Sequence, residues 1–295
     1  MDTVDHLIVG AGYVGRRLAE RLRPSGRIAA IVATSASALA LRANGFAAQA
    51  INLDDPAGAS IPSALYVYYL APPPSAGVMD PRLARFLEMG LRPQRFIYLS
   101  TTAVYGNTHG ASVDENSPTL PQTDRGQRRL DAEEQVRRYA DSVGIEWSIL
   151  RVPGIYGPER LPLDRLARGE PVLADDEAGL TNRIHVTDLV TALVLVAQHP
   201  DAARRIYNVT DGAPSSTSAH FRRIAQIAGL PPPPIVSRRE AVGRISSAFL
   251  SYLDESRRLD GSRLVNELGF QLRYADPDEG IRASLPDQTG RATKS

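Results

Sequence analysis

The chain has 295 residues, 43% of them hydrophobic and 23% charged, and a formal net charge of +1 at pH 7. This is the profile of an ordinary globular protein, long enough for one large α/β unit or two lobes, and it gives no ground for nucleic acid or an anionic membrane as a partner. There is no cysteine, which removes disulfides, thiolate catalysis, iron–sulfur clusters and Cys-ligated zinc, and agrees with the expected cytoplasmic location. The start, Met1-Asp2-Thr3-Val4-Asp5, has no basic n-region, so no signal peptide is expected. The apolar runs are too short to span a bilayer. In chain order, Leu7 to Val9 reads as a strand ending at glycines. Tyr13 to Arg23 reads as a helix, with Val14, Leu18 and Leu22 on one face. Strands are expected at Ile28 to Val32, Phe46 to Ile51, Leu65 to Leu70, Arg95 to Leu99 and Ile145 to Leu150. Helices are expected at Ala36 to Arg42, Pro81 to Met89 and Gln127 to Ser142. This alternation predicts a parallel sheet with helices on both faces. After Arg151 the rhythm loosens, with a helix expected at His185 to Gln198, a strand at Arg205 to Val209 and helices at Phe221 to Gly229 and Asp260 to Leu268. Pro231 to Pro234 stiffens the last connection, and Pro286 to Ser295 is expected to fray.

Gly10, Gly12 and Gly15 stand between the first strand and the first helix. There the first glycine permits a tight turn, the second lets backbone approach a pyrophosphate, and the third allows close helix–strand packing. The free N–H groups of Tyr13, Val14 and Gly15 would face the phosphates. The expected ligand is NADP or NAD. A carboxylate after the second strand would take the adenosine 2′-hydroxyl of NAD, but this chain has Ala33-Thr34-Ser35. Hydroxyls on Thr34 and Ser35 suit a 2′-phosphate, with Arg16 and Arg42 as candidate partners, so the reading leans to NADP.

Further segments follow in order: Tyr69-Leu70-Ala71-Pro72-Pro73, Ser100 to Gly106, Leu150 to Pro158, Arg183 to Leu189 and Tyr207 to Gly212. With the glycine turn they resemble an extended short-chain dehydrogenase/reductase of the epimerase and dehydratase kind. The resemblance covers the chain to about Gly280. It implies a doubly wound parallel sheet of the Rossmann type at residues 1–151, completed by parts of 183–210. A smaller interleaved C-terminal substrate lobe follows at 152–182 and 211–285. It also implies that Thr101 bonds the substrate's reacting oxygen, that Asn52 and Leu53 meet the adenine, and that Ala71, Pro72, Ser100 and Pro153 line the cofactor cleft. The family's catalytic Tyr-x-x-x-Lys pair is replaced by Arg125 and Arg129, with Leu130-Asp131-Ala132-Glu133 holding the register. Arginine stays protonated, so neither residue serves as a general base, though both suit a phosphate or an oxyanion. This places the chain among the atypical members that lack the tyrosine.

Tyr105 and Tyr156 are the available substitutes for the missing acid; the opposing reading buries both against the sheet. His185 is expected to start a helix rather than act as a base, and Asp114-Glu115 and Asp175-Asp176-Glu177 to be solvated loops without metal geometry. Trp147 is expected in the core. The candidate catalytic set is Thr101, Arg125, Arg129 and Tyr105. The expected activity is an NAD(P)-dependent oxidoreductase or epimerase-like reaction on a polar, sugar-like small molecule. The alternative is a cofactor-sensing regulatory protein without hydride transfer. Neither nucleic acid nor membrane is expected as a partner; a homodimer stays open.

Overall fold

Strands whose residues are apolar on both faces bury themselves only between two helical layers, and this organises the chain. The computed structural model describes residues 3–56, 58–245, 250 and 253–286. Seven parallel strands form the central sheet: β1 (Val4–Val9), β2 (Ile28–Val32), β3 (Ala47–Ala50), β4 (Ala64–Tyr69), β5 (Arg95–Thr101), β7 (Glu146–Val152) and β12 (Arg205–Asn208), in the order β12-β7-β5-β4-β1-β2-β3. Between β5 and β7 lies the short β6 (Ser112–Val113); β8 (Gly154–Tyr156), β9 (Val172–Leu173), β10 (Leu180–Thr181) and β11 (Arg183–His185) follow β7.

Alternation along β1 assigns the two faces. Ile8 joins a core with α1 (Tyr13–Leu22), α2 (Ser35–Ala43) and α6 (Val186–Gln198), while the short α5 (Leu163–Ala167) lies between β8 and β9 in the chain. Leu7 and Val9 join one with α3 (Pro81–Glu88) and α4 (Asp124–Val143). The chain builds β1, β2 and β3 outward, then crosses back to β4 beside β1. That reversal opens a crevice past the C-terminal ends of β1 and β4, where open α/β sheets take their ligands.

The prolonged α4 begins at Asp124, three residues before the expected start. Its N-cap is Thr123, whose side chain accepts from the Gly126 amide. Gly126 is required by close approach, because a Cβ there would lie 2.7 Å from the Ala103 carbonyl oxygen and 2.8 Å from Pro121 Cβ. The helix therefore sits directly on the 3-10 turn Thr102–Tyr105 that follows β5. Beyond the sheet, short pairs join β8 to β11, β9 to β14 (Ile235–Val236), β10 to β13 (Ser215–Ser216) and β6 to β15 (Arg258–Leu259). The helix Pro277–Ser284 has no counterpart among the sequence expectations. The expected frayed tail lies, but for Pro286, outside the described residues.

Candidate functional site

The glycine turn forms the first wall. Gly10 takes φ +89°, and a Cβ there would lie 2.5 Å from the Ala71 amide nitrogen. Residue 10 must be glycine for the ends of β1 and β4 to meet. A Cβ on Gly12 would meet no atom within 4 Å, so that position opens onto free space. No side chain caps α1 at Gly12. Among the described residues, no hydrogen bond uses the amides of Tyr13, Val14 or Gly15. An open cradle backed by unused helix N–H groups fits a diphosphate.

The adenosine end is less open than the sequence suggests. The Thr34 hydroxyl accepts from the Ser37 amide at 3.2 Å and donates to Ser37 Oγ at 2.9 Å, so it is committed to capping α2. Ser35 and Arg16 are exposed. Arg42 Nε donates to the Ala48 carbonyl at the outer edge of the sheet. Asn52 Oδ1 is held in a local turn by the Asp54 amide, and Leu53 packs on the α3/α4 core. Ala71 is buried, while Pro72 is exposed with its carbonyl accepting from Arg82.

Past β5 and β7 lies a cavity of about 180 Å³, whose lining includes Thr101, Thr102, Arg125, Pro153, Asn182, Glu255 and Arg257. Thr101 Oγ1 accepts only a long bond, 3.4 Å, from the Ala103 amide. Glu255 has its side chain 7% exposed and is held from both sides. Arg125 Nη2 meets Oε1 at 3.3 Å, and Arg257 Nη2 donates to Oε2. Arg257 is fixed in turn by the Gly106 carbonyl at 2.9 Å and Thr102 Oγ1 at 3.4 Å. Sequence reading missed Glu255 and Arg257. They reach the cavity from a loop far along the chain and carry no motif; the pairing of β15 with β6 and backbone bonds with Leu180 and Thr108 place them.

Some expectations are corrected and others hold. Arg125 and Arg129 lie one turn apart on α4 but do not act together. Arg129 Nη1 donates to the Tyr98 hydroxyl at 3.1 Å and the Leu99 carbonyl at 2.9 Å, and Arg125 alone lines the cavity. Tyr105 is not a cleft acid: it is 2% exposed, and its hydroxyl donates to Asn208 Oδ1 at 2.8 Å. Burial raises its pKa further. Ser100 also faces away, donating to Glu133 Oε1 at 2.6 Å inside a buried Glu133–Arg151 pair. Tyr156 is buried, as the opposing reading had it, and its hydroxyl has no hydrogen-bond partner among the described residues. Glu115 is not solvated; it accepts from the Asn208 amide at 2.7 Å. Asp175, Asp176 and Glu177 are exposed, as expected, with Asp175 pairing with Arg222 and accepting from Ser216. His185 caps α6, with Nδ1 accepting from the Thr187 amide at 3.1 Å; burial pushes its pKa down to about 4. Trp147 is in the core.

Comparison with known proteins agrees with this architecture. Residues 82–210 match the NAD dependent epimerase/dehydratase family. Protein YeeZ of Escherichia coli is 32% identical over 188 residues, 63% of this chain and 61% of YeeZ. The chain thus spans about three fifths of the length of that curated relative. A conserved protein of unknown function from Silicibacter pomeroyi is 30% identical, with 99% of this chain and 100% of that one superposed at a TM-score of 0.83. The UDP-glucuronic acid 4-epimerase of Bacillus cereus, solved with UDP-glucuronic acid and NAD, shares the fold at 18% identity and a TM-score of 0.75, over 95% of this chain and 97% of that one. With the doubly wound sheet, the glycine turn at its crevice and a full-length relative, the chain belongs to the NAD-dependent epimerase/dehydratase family.

Proposed function

We propose that this chain binds NADP or NAD along the crevice from the Gly10–Gly15 turn to Pro153. There it would act as an oxidoreductase or epimerase-like enzyme on a polar, sugar-like small molecule, without the family's tyrosine. The observation that carries the reading is the juxtaposition of an uncapped glycine turn with a polar cavity at Thr101, both past the C-terminal ends of the same sheet. The NAD complex of the Bacillus cereus enzyme, which has this fold, supports it. Residues 152–182 and 211–285 would form the substrate lobe.

Tyr13, Val14 and Gly15 would hold the diphosphate through backbone N–H groups, with Gly12 leaving room for its approach, Ala71 and Pro72 along the cleft wall and Ser35 toward the adenosine. When bound, the nicotinamide supplies hydride exchange. Thr101 would hydrogen-bond a substrate oxygen. Arg125 would stabilise negative charge developing on that oxygen, but cannot take its proton. Among the lining residues Glu255 is the carboxylate able to accept one, at Oε1.

The cofactor-sensing reading is favoured by one feature: among the described residues, no tyrosine, histidine or lysine lines the cavity. Calorimetric titration with NADP and NAD tests the shared premise, and absence of saturable binding of either at millimolar concentration defeats both readings. Nicotinamide turnover with polyols and sugar carbonyls then separates them.

A further inference from the structure

Tyr13 begins α1, and its amide is one of those left unused at the glycine turn. Its side chain leads elsewhere, to the loop that follows β8. The hydroxyl donates to the Pro158 carbonyl at 2.9 Å. Two guanidinium groups lie over the ring, Arg17 at 4.0 Å and Arg160 at 4.4 Å from its centroid, both within the range of cation–π attraction. Arg17 ties the parts together. Its Nη1 donates to the Tyr13 carbonyl at 3.1 Å, and its Nη2 to the Pro158 carbonyl and Glu159 Oε2, each at 3.4 Å. Among the described residues, every polar contact that Pro158, Glu159 and Arg160 make outside their own turn goes to Tyr13 or Arg17. The loop is shaped for this approach. Gly157 takes φ +150°, and a Cβ there would lie 2.7 Å from the Tyr13 hydroxyl oxygen and 2.7 Å from Val186 Cγ1. Glu159 is held at φ +68°, a left-handed backbone that a residue with a Cβ rarely adopts.

We propose that Tyr13 is a positioning residue: by fixing it, a bound dinucleotide clamps the loop 157–160 and, through β8, the cavity wall at Pro153 and Gly154. The inference rests on reading the glycine turn as the dinucleotide site. The amide and the ring belong to one residue, so a diphosphate that accepts from the amide also restricts where the ring can stand. A ligand moves such an equilibrium only by favouring one state. Here it favours the state with Tyr13 seated in the first turn of α1, which is the state that holds Pro158 and Arg160. The loop has freedom to lose. Glu159 and Arg160 are exposed, single bonds and cation–π pairs at such positions are weak, and a backbone held in a disfavoured conformation relaxes when released. The second link is short. β8 has three residues, Gly154–Tyr156, and joins the cavity-lining Pro153 and Gly154 directly to Gly157. It is paired along its length with β11, Gly154 opposite Arg183 and Tyr156 opposite His185, so it moves as one piece with the start of α6, where Val186 meets Gly157.

Arg160 itself reports on the loop, because it is exposed and trypsin cleaves after arginine. The full chain is treated briefly with trypsin, with and without NADP or NAD at concentrations that calorimetry shows to saturate, and mass spectrometry follows fragments 1–160 and 161–295. Hydrogen exchange over residues 154–161 is read on the same samples. Without dinucleotide, Tyr13→Leu should be cut after Arg160 about tenfold faster than the parent, with a melting temperature close to the parent's. Dinucleotide should slow this cut and the exchange about fivefold or more in the parent and less than about twofold in Tyr13→Leu, whose turn keeps its backbone N–H groups. Where Tyr13→Leu fails to fold or to bind, Tyr13→Phe decides; it keeps the ring, loses only the bond to Pro158, and should show less protection than the parent. Equal cutting of parent and variant without dinucleotide, or protection undiminished in the variants, overturns the proposal. Dinucleotide binding to the parent with no change after Arg160 defeats only this inference. Absence of binding to the parent defeats the proposed function and this inference with it.

Discussion

Two glycines of one turn should fail in opposite ways when each gains a methyl group. At Gly10 the Cβ would lie 2.5 Å from the Ala71 nitrogen and 2.7 Å from its Cα, and the backbone is left-handed at φ +89°. Both obstacles are backbone, so no side-chain rotation relieves them. The left-handed conformation costs about 1–2 kcal/mol, and forcing β1 from β4 adds an overpacking cost of about 1–3 kcal/mol. Gly10→Ala should therefore lose about 2–5 kcal/mol, a large share of the ~5–15 kcal/mol that holds a typical domain together. At Gly12 the added methyl meets no protein atom within 4 Å, so Gly12→Ala should change stability by about 1 kcal/mol or less. The methyl would instead stand where a diphosphate approaches. Loss of one charge-assisted hydrogen bond, about 1.5–3 kcal/mol, raises Kd for NADP and NAD by about 10- to 100-fold. Urea unfolding followed through Trp147 fluorescence gives the stabilities, and calorimetry gives the affinities. Gly12→Ala binding dinucleotide as well as the parent, or unfolding as early as Gly10→Ala, would refute the assignment of these two roles.

Removing Arg151 leaves Glu133, 0% exposed, with Ser100 as its remaining side-chain partner. Arg151→Ala should therefore cost about 3–5 kcal/mol in denaturant midpoint analysis, and Arg151→Met with Glu133→Leu should recover most of it. Tyr105→Phe removes the hydroxyl donated to buried Asn208 and should cost about 1–3 kcal/mol while leaving dinucleotide affinity unchanged; a loss of affinity would return Tyr105 to the site. Glu255→Gln should lower any turnover by ~10²–10⁴-fold if Glu255 exchanges the substrate proton, with the Kd for NADP unaltered in the same preparation. Asp211 is pushed up to about 6 by burial, with Asp188 adding to the rise and Arg183 opposing it. A raised carboxyl gives stability that is present below the unfolded pKa, near 4, and lost as pH rises through 6. Asp211→Asn should thus gain about 1 kcal/mol more at pH 8 than at pH 5, and equal gains at both would contradict this.

Legibility in the sequence followed the range of the forces involved. The strands β2 and β4 and the helices α1 and α3 were readable to within a residue or so, because the strands carry nearly continuous apolar runs and each helix carries one apolar stripe that packs on the sheet. The glycine turn was readable because a close approach leaves a residue signature. The start of α4 was not, since Thr123 caps a polar first turn with no apolar periodicity to mark it. Ser100 and Thr101 illustrate the finer limit. They are neighbours with similar side chains, yet strand alternation turns one onto Glu133 and the other toward the cavity. Tyr105 and Tyr156 both precede a glycine near the cleft, but which way each ring turns depends on Asn208 and Gly280, residues supplied from distant parts of the chain. The Glu255–Arg257 loop left no sequence signal at all.

The two arginines at the family's catalytic positions differ in weight. Thirty-four residues are lysine or arginine, and the single lysine is Lys294. Arginine at 129 therefore follows the composition of the whole chain, and its bonds to Tyr98 and Leu99 anchor α4 to β5 as any long cation could. Arginine at 125 has no such explanation, because the chain has 11 tyrosines and the exchange inverts the chemistry at that point. It is matched by Glu255, a carboxylate at the same cavity that the arginine helps to neutralise. The two therefore form one unit. Restoring the family's pair through Arg125→Tyr and Arg129→Lys would place a phenol beside a carboxylate already charged. A carboxylate that accepts the phenolic proton stabilises the neutral phenol, so the hydroxyl would be harder to ionise, opposite to what the family's lysine achieves. Regaining that chemistry requires Glu255 to change as well.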